Sequence, residues 1–191
     1  MSTLTAPSAT AGDAGMTRLA IGTRVEKDSP TIELFGTLEE LAAWIAVLAD
    51  DPLSPEDRRI LATVENDLHE LLQQVAAPGT PLLSPPYVQR LDVLMDGMER
   101  RLPPAPSGAF PGGSPRAAFA AVARSVCRRA ERRLVAQCDI DRGLPAASGI
   151  AYLNRLGDLL QQMARLANFG AGGASRSFDR GLSLADTKRL G

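Results

Sequence analysis

Apolar residues recur at helical spacing in five separate segments of the chain, which predicts five α-helices. The first predicted helix begins at Thr37, whose spacing from Glu40 is that of a capping box, and ends near Asp50. Its inward stripe consists of apolar residues three or four positions apart: Leu41, Trp44, Ile45 and Leu48. No alternating strand pattern of any length lies between the helical segments, so the pattern predicts an all-α chain.

Serine–proline pairs predict where three further helices begin, because a serine side chain caps free backbone amides and proline fits the first helical turn. The helices that these pairs open are expected over about 55–77, 85–101 and 115–137. A fifth helix follows Leu144-Pro145 and ends near Gly170. Because the connections are short or loop-like, the fold class is predicted to be a five-helix up-and-down bundle.

Composition narrows the class of protein. The 191 residues suit a single domain, and only 4% of them are aromatic, which favours a helical bundle over a β-sandwich. A net charge of -1 gives no overall field that would attract nucleic acid or an anionic membrane. No membrane-spanning or export segment is recognised, so a cytoplasmic protein is expected. The two cysteines and the single histidine lack metal-site spacing, so reduced thiols and no metal ligands are predicted.

The strongest candidate for chemistry is a row of arginines around one carboxylate on the predicted fourth helix. Arg124, Arg128 and Glu131 fall within one narrow stripe. The neighbouring stripe is apolar and consists of Phe119, Val122, Val126, Ala130 and Leu134. Guanidinium groups bind phosphate oxygens in bidentate fashion, which favours a triphosphate site. The alternative is a solvated arginine face with helical ion pairs to Glu131, and the stripe alone does not decide between the two.

Residues 102–113 interrupt the helical pattern with four prolines and three glycines. Such a stretch predicts a loop, and loops of this length inside compact domains are often functional.

Six short strings, taken in order along the chain, resemble the PduO-type ATP:cob(I)alamin adenosyltransferases. They lie at 12–17, 24–28, 35–41, 111–113, 123–133 and 152–160. The resemblance covers 9–169, with a nucleotide loop at 9–36 and the helical bundle at 37–169. The flanking segments 1–8 and 170–191 are expected to be a flexible N-terminus and a flexible tail.

The resemblance implies a ferritin-like bundle that assembles as a homotrimer, with ATP and the corrinoid bound between subunits. The implied reaction transfers the 5′-deoxyadenosyl group of ATP to cob(I)alamin and releases triphosphate, usually with Mg²⁺. Reduced cobalt is itself the nucleophile, so the protein need supply no nucleophilic side chain. A cobalamin reductase or an acceptor enzyme would be a further partner.

The resemblance also implies roles for individual residues in binding ATP. Gly12, Asp13, Gly15 and Thr17 match the N-terminal phosphate loop, and Lys27 matches the lysine that reaches the phosphates.

Four further residues match positions around the reacting groups. Arg128, Glu131 and Asn154 match positions that surround ATP. Arg124 matches an arginine that pairs with an acid on the first helix, and the acid at that place here is Glu39. Catalytic roles are therefore expected for Arg124, Glu39 and Arg128.

The departures from the family pattern concentrate in the site. They replace polar, charged or aromatic residues and are Ala9, Ala11, Ala14, Ala42 and Gly108. Gly108 aligns with the phenylalanine that packs under the corrin, and Phe110 lies two residues later as a possible substitute, so corrinoid contacts are expected from these two residues and Arg124. The losses predict weakened ATP binding. They also keep open the alternative of a non-catalytic paralogue that binds a corrinoid, a nucleotide or a partner protein.

Overall fold

The computed structural model describes residues 12–19, 22–50, 54–77, 81–104, 112–140 and 146–172. Over these residues the chain forms two short strands, β1 (Met16–Arg18) and β2 (Arg24–Glu26), followed by five helices. The helices are α1 (Pro30–Asp50), α2 (Pro55–Val75), α3 (Pro85–Glu99), α4 (Pro115–Ile140) and α5 (Ala147–Gly170). The predicted helical fold is confirmed, with the addition of an antiparallel hairpin that the hydrophobic pattern did not indicate. None of the helices in the described part of the chain is long and apolar enough to cross a lipid bilayer.

The serine–proline starts of α2, α3 and α4 are confirmed. The Ser54 hydroxyl accepts a hydrogen bond from the Asp57 amide at 3.1 Å, and the Ser114 hydroxyl accepts one from the Ala117 amide at 3.2 Å. Ser84 makes no side-chain capping bond, so the start of α3 relies on proline in its first turn.

The predicted start of α1 at Thr37 is wrong, because the helix begins at Pro30. Thr37 lies in the middle of the helix, is only 6% exposed, and its hydroxyl donates to the Glu33 carbonyl at 2.6 Å. A hydroxyl bonded to the carbonyl four residues earlier cannot cap a helix start. Ser29 and Pro30 supply the same serine–proline signal that opens the other helices. Helix α1 therefore begins seven residues earlier than predicted.

Helix α4, which carries the predicted row of arginines, packs against both α1 and α5. The predicted apolar stripe of α4 is only partly right, since Phe119 is 38% exposed and Val122 is 39% exposed. The buried stripe consists mainly of small residues: Ala117, Ala120, Ala123, Val126, Cys127, Ala130 and Leu134. Small side chains let α4 approach its two neighbours closely, whereas the Phe119 ring lies outside and contacts Trp44 at 6.1 Å between ring centroids.

A buried polar cluster joins α2, α3 and α5. The Asp67 carboxylate is buried, pairs with Arg90, and accepts a hydrogen bond of 2.8 Å from the Tyr152 hydroxyl. Because a buried carboxylate is costly unless it is paired, these contacts stabilise one arrangement of the three helices.

Candidate functional site

The N-terminal hairpin brings the predicted phosphate-loop residues next to Lys27. A Cβ placed on Gly12 would lie 3.1 Å from the Lys27 ammonium nitrogen, so the side chain of Lys27 crosses directly over this glycine. The Lys27 amide also donates to the Gly15 carbonyl at 2.9 Å. Gly15 has a φ of 76°, a conformation that favours glycine. We call residues 12–17 together with Lys27 the phosphate-loop group.

Strand pairing explains why these residues meet. β1 and β2 are antiparallel with Thr17 opposite Val25, so the chain that leaves β2 returns to the segment before β1. The turn between the strands is closed by a 2.8 Å hydrogen bond from the Gly22 amide to the Leu19 carbonyl, with Gly22 at a φ of 87°. Lys27 is therefore placed by backbone pairing that does not involve its own side chain.

The arginine stripe, which we define as Arg124, Arg128 and Glu131, lies on the side of α4 that faces α5. Arg128 and Glu131 form an ion pair, with 3.7 Å between the Arg128 Nη1 and the Glu131 Oε2. The side chain of Glu131 is 18% exposed, whereas that of Arg128 is 42% exposed. The Cγ of Arg128 lies 3.7 Å from the position that a Cβ on Gly157 would occupy. The aliphatic part of Arg128 therefore crosses α5 at a residue without a side chain, while the charged group stays accessible to a ligand.

Asn154 is one helical turn before Gly157 on α5, so it lies on the same face of α5 as the glycine that Arg128 crosses. The helices are joined at this level by Cys127, whose buried thiol donates to the Leu153 carbonyl at 3.1 Å. Burial raises the pKa of the Cys127 thiol, so the sulfur keeps its proton and remains a donor at neutral pH. Because Leu153 precedes Asn154 directly, this contact fixes the position of Asn154 along the α5 axis relative to the arginine stripe on α4.

Arg124 and Glu39, the predicted ion pair, do not meet within the chain. Arg124 is half-buried on the α5 side of α4, and its Nε atom is buried without a hydrogen-bond partner among the described residues. Glu39 is exposed on α1. The ion pairs that join α1 to α4 are instead Arg129–Glu40 and Arg133–Glu33.

The phosphate-loop group and the arginine stripe are two separate halves within one chain. Across the described ranges, no hydrogen bond or ion pair connects them.

Several of the predicted departures can be located. Ala14 is exposed in the phosphate-loop group, and Ala42 is half-buried and packs against the core of the bundle. Ala9, Ala11, Gly108 and Phe110 lie outside the described residues.

Sequence reasoning missed two residues that shape the site. Gly157 lies within the string 152–160 but was given no role of its own, although a glycine inside a regular helix is itself a signal of close packing. Asn168 near the end of α5 was also overlooked, and it contacts the far end of the loop 102–113. Nothing in the hydrophobic pattern distinguishes Asn168 from an ordinary helix-surface amide.

The fold and the site together define an all-helical bundle with a glycine-containing loop and an arginine stripe suited to a polyanion. A family model described as cobalamin adenosyltransferase matches residues 8–167, and the chain belongs to this family. A protein from Cupriavidus metallidurans named cobalamin adenosyltransferase is 40% identical over 173 residues, which are 88% of this chain and 91% of that protein. Corrinoid adenosyltransferase PduO from Citrobacter freundii is 33% identical over 84% of this chain, which spans 49% of that longer protein.

A solved structure supports the fold. It is a variant of the PduO-type ATP:corrinoid adenosyltransferase from Lactobacillus reuteri, complexed with cobalamin and ATP. The match has a TM-score of 0.78 at 23% identity and covers 91% of this chain and 99% of the other. The five-helix architecture is therefore that of a PduO-type protein.

Proposed function

We propose that this protein transfers the 5′-deoxyadenosyl group of ATP to a reduced corrinoid and releases triphosphate. The observation that carries the proposal is the family match over 8–167, together with retention of the arginine stripe and the phosphate-loop group. In this reaction the electron pair of Co(I) forms a bond to C5′ of ATP, and the bond from C5′ to the triphosphate oxygen breaks. No protein nucleophile is required, so the work of the chain is positioning and charge stabilisation.

Each half of the site has a part in holding the triphosphate. Gly12 lets the backbone approach the phosphates closely, and Lys27 places an ammonium group above it. Arg128 provides a charged fork, and Glu131 limits its orientations through their ion pair. Asn154 would supply an amide from the same face of α5 that the arginine crosses. These groups neutralise the charge that develops on the leaving triphosphate.

We infer that the complete site lies between subunits of a homotrimer. A neighbouring subunit would place its phosphate-loop group against the arginine stripe, so that the two groups together form the triphosphate pocket. Arg124 and Glu39 would then pair across the boundary, which would give the Nε side of Arg124 a partner that the described residues do not supply. The exposed apolar residues beside the contact of α1 and α4 support burial of this region: Val47, Phe119 and Val122.

Mg²⁺ fits this site only as a companion of the triphosphate. Within the described ranges, no three His, Cys, Asp or Glu side chains cluster in a way that could hold a metal ion. Magnesium usually keeps several waters and binds substrate phosphates. We therefore assign it no protein cage and no step of the reaction.

The cytoplasm is the compartment that suits an ATP-consuming reaction on a reduced corrinoid.

The substitutions in the site predict a weak affinity for ATP and not a loss of activity. Ala14 lacks the positive charge that the family pattern places beside the phosphates. A hydrogen bond to a charged group contributes roughly 1.5–3 kcal/mol, so this loss alone corresponds to about a ten- to hundredfold weaker binding. Arg128 and Lys27 remain as the main cationic contacts.

The activity is tested by mixing the purified chain with ATP, Mg²⁺ and chemically reduced cobalamin and recording the spectrum of adenosylcobalamin. Formation that saturates with ATP at millimolar concentration is the expected result. Absence of turnover at high ATP would contradict the proposal. Binding of a corrinoid or ATP at micromolar concentration without turnover would support the non-catalytic alternative.

The subunit boundary is tested by complementation. Lys27→Ala disables one half of the site and Arg128→Ala disables the other, so each variant alone is expected to be nearly inactive. Co-refolding the two in equal amounts creates mixed trimers in which about a quarter of the boundaries carry two intact halves. Recovery of about that fraction of wild-type activity is expected. If the mixture is as inactive as its components, the site lies within one subunit.

A further inference from the structure

We propose that a cavity at the end of the bundle where α5 terminates is a second ligand site, which binds a small organic anion with an apolar body. The cavity has a volume of about 510 Å³ and lies between the starts of α2 and α4, the chain just beyond α3 and the last part of α5. Ligand pockets in proteins typically measure about 300–1,000 Å³. The inference does not depend on the proposed adenosyl transfer.

The cavity lies on the side of α5 opposite the predicted ATP contacts. Met163 and Leu166 line it, and their spacing puts them on one stripe of the helix. Met163 follows Asn154 by nine residues, which is about two and a half turns of an α-helix, so the two side chains leave α5 in opposite directions. Arg128 crosses α5 on the Asn154 side, at Gly157. The cavity therefore faces away from the arginine stripe.

The wall that α5 contributes to the cavity is apolar. Met163, Leu166 and Ala167 line it, and Phe169 adds an aromatic side chain that is 58% exposed. An apolar body placed against these side chains would be removed from water together with the phenylalanine ring, which favours binding. This wall therefore selects a ligand with an apolar part.

Two arginines give the cavity an excess of positive charge. Arg101 and Arg116 line it together with one acid, Asp57, whose Oδ1 is buried without a hydrogen-bond partner among the described residues. Arg101 also forms an exposed ion pair with Glu56 at 3.4 Å. Exposed pairs of this kind are weak, so a carboxylate that both arginines bind can compete with Glu56. The charges therefore favour a ligand with a single anionic group.

The walls of the cavity are held together by contacts within the chain. The Arg165 guanidinium donates to the Pro103 carbonyl at 2.6 Å, which ties the chain beyond α3 to α5. The Ser114 amide donates to the Asn168 side chain at 2.9 Å, which ties the start of α4 to α5. Because the walls are already ordered, binding a small ligand costs little conformational entropy.

The probe for this site is 2-naphthaleneacetate, which combines an apolar aromatic body with one carboxylate. Its neutral counterpart, 2-naphthaleneacetamide, has nearly the same shape. We expect the wild-type chain to bind the acid with a Kd of about 1 mM or lower, and to bind the amide at least about tenfold more weakly. Calorimetry measures both in the absence of ATP and corrinoid, so the result is independent of any adenosyl transfer. Equal affinities for the two probes, or no binding of the acid, would overturn the proposal.

The position of the probe is read from isotope-labelled methionine methyl groups. Met163 lines the cavity, whereas Met16 lies in β1 of the hairpin. Addition of the acid should shift the methyl signal of Met163 and leave that of Met16 unchanged, and the spectrum of Met163→Leu supplies the assignment. An unchanged Met163 signal, or displacement of the acid by ATP, would overturn the proposal, because the probe would then lie outside the cavity or at the arginine stripe.

Two variants test the lining of the cavity. Ala167→Phe fills the space without changing its charge and should abolish binding of the acid, and Ala136→Phe, at an exposed position near the end of α4, is the matched control. Arg101→Gln should weaken binding of the acid about five- to tenfold and leave the amide unchanged. Arg24→Gln removes the same charge from β2 and should change neither affinity.

The arginine variant keeps the proposal falsifiable if the bulkier phenylalanine prevents folding, because the Arg101 side chain is 45% exposed and its replacement leaves the core intact. An affinity for the acid that is unchanged in Arg101→Gln, or retained in a folded Ala167→Phe variant, would overturn the second site.

Discussion

The Cγ of Arg128 lies 3.7 Å from the point where a Cβ on Gly157 would sit. This relationship links α4, which carries the arginine stripe, to α5, which carries Asn154, because the stem of the arginine rests on bare backbone of α5. The direction of the guanidinium group depends on this contact and on the ion pair with Glu131. The following predictions test this arrangement and the features around it.

Gly157→Leu should displace Arg128, since the new side chain occupies the path of the arginine stem. We expect the KM for ATP to rise roughly tenfold or more, with little change in the KM for the corrinoid. Gly157→Ala is the matched control, because a Cβ at 3.7 Å is an ordinary contact and alanine favours a helix interior by about 0.5–1 kcal/mol. Steady-state kinetics and thermal melting check both variants. Equal kinetic effects of the leucine and alanine variants would contradict the arrangement.

Ala14→Lys should strengthen ATP binding, because it restores a positive charge in the phosphate-loop group beside Lys27. A decrease of the KM for ATP by about tenfold is expected if the new group forms one charge-assisted bond. Ala14→Glu changes the charge in the opposite direction and should raise the same constant. Titration with ATP at two ionic strengths provides the measurement. Identical values for the two variants would show that residue 14 does not face the phosphates.

Glu39 and Arg124 should be coupled across the subunit boundary. Glu39→Arg or Arg124→Glu alone places like charges opposite each other and should lower kcat/KM for the corrinoid about tenfold or more. The double variant restores opposite charges and should recover part of this loss. Light scattering after gel filtration reports the oligomeric state of each variant beside that of the wild type. If the two single effects simply add in the double variant, the residues are not paired.

Tyr152 should make the protein less stable at alkaline pH. Burial, with the nearby charge of Asp67, raises the pKa of Tyr152 well above its ordinary value of 10.0. The folded state therefore holds this proton more tightly, so the stabilisation is complete below pH 10 and is lost as the pH rises towards the folded-state pKa. The free energy of unfolding should decrease by about 1.4 kcal/mol per pH unit in that range.

The comparison is with Tyr152→Phe, measured by urea unfolding from about pH 8 to pH 11. The variant should have a flatter dependence above pH 10, with a residual slope from the Cys127 thiol, whose pKa burial also raises above its ordinary 9.0. At neutral pH the variant should be about 1–3 kcal/mol less stable, since the buried Asp67 loses one partner. Parallel curves for the two proteins would show that the tyrosine does not control this loss.

Local signals in the sequence were sufficient for most of the secondary structure. Ser54 and Ser114 precede prolines and cap their helices as expected, because capping depends only on residues within one turn. The same kind of signal at Thr37 was misleading. Its spacing from Glu40 suits a capping box, but the earlier Pro30 begins the helix and Thr37 becomes a buried interior residue.

The sequence also placed Arg124, Arg128 and Glu131 on one stripe, since helical periodicity alone determines which residues share a face. It could not determine that Phe119 lies outside the buried stripe, or that Arg124 and Glu39 do not meet in one chain. Those outcomes depend on which sides of α4 contact α1 and α5. The contacts of Gly157 with Arg128 and of Gly113 with Asn168 were likewise decided by the tertiary structure. They join residues far apart in the chain, and no local propensity encodes how closely two backbones approach.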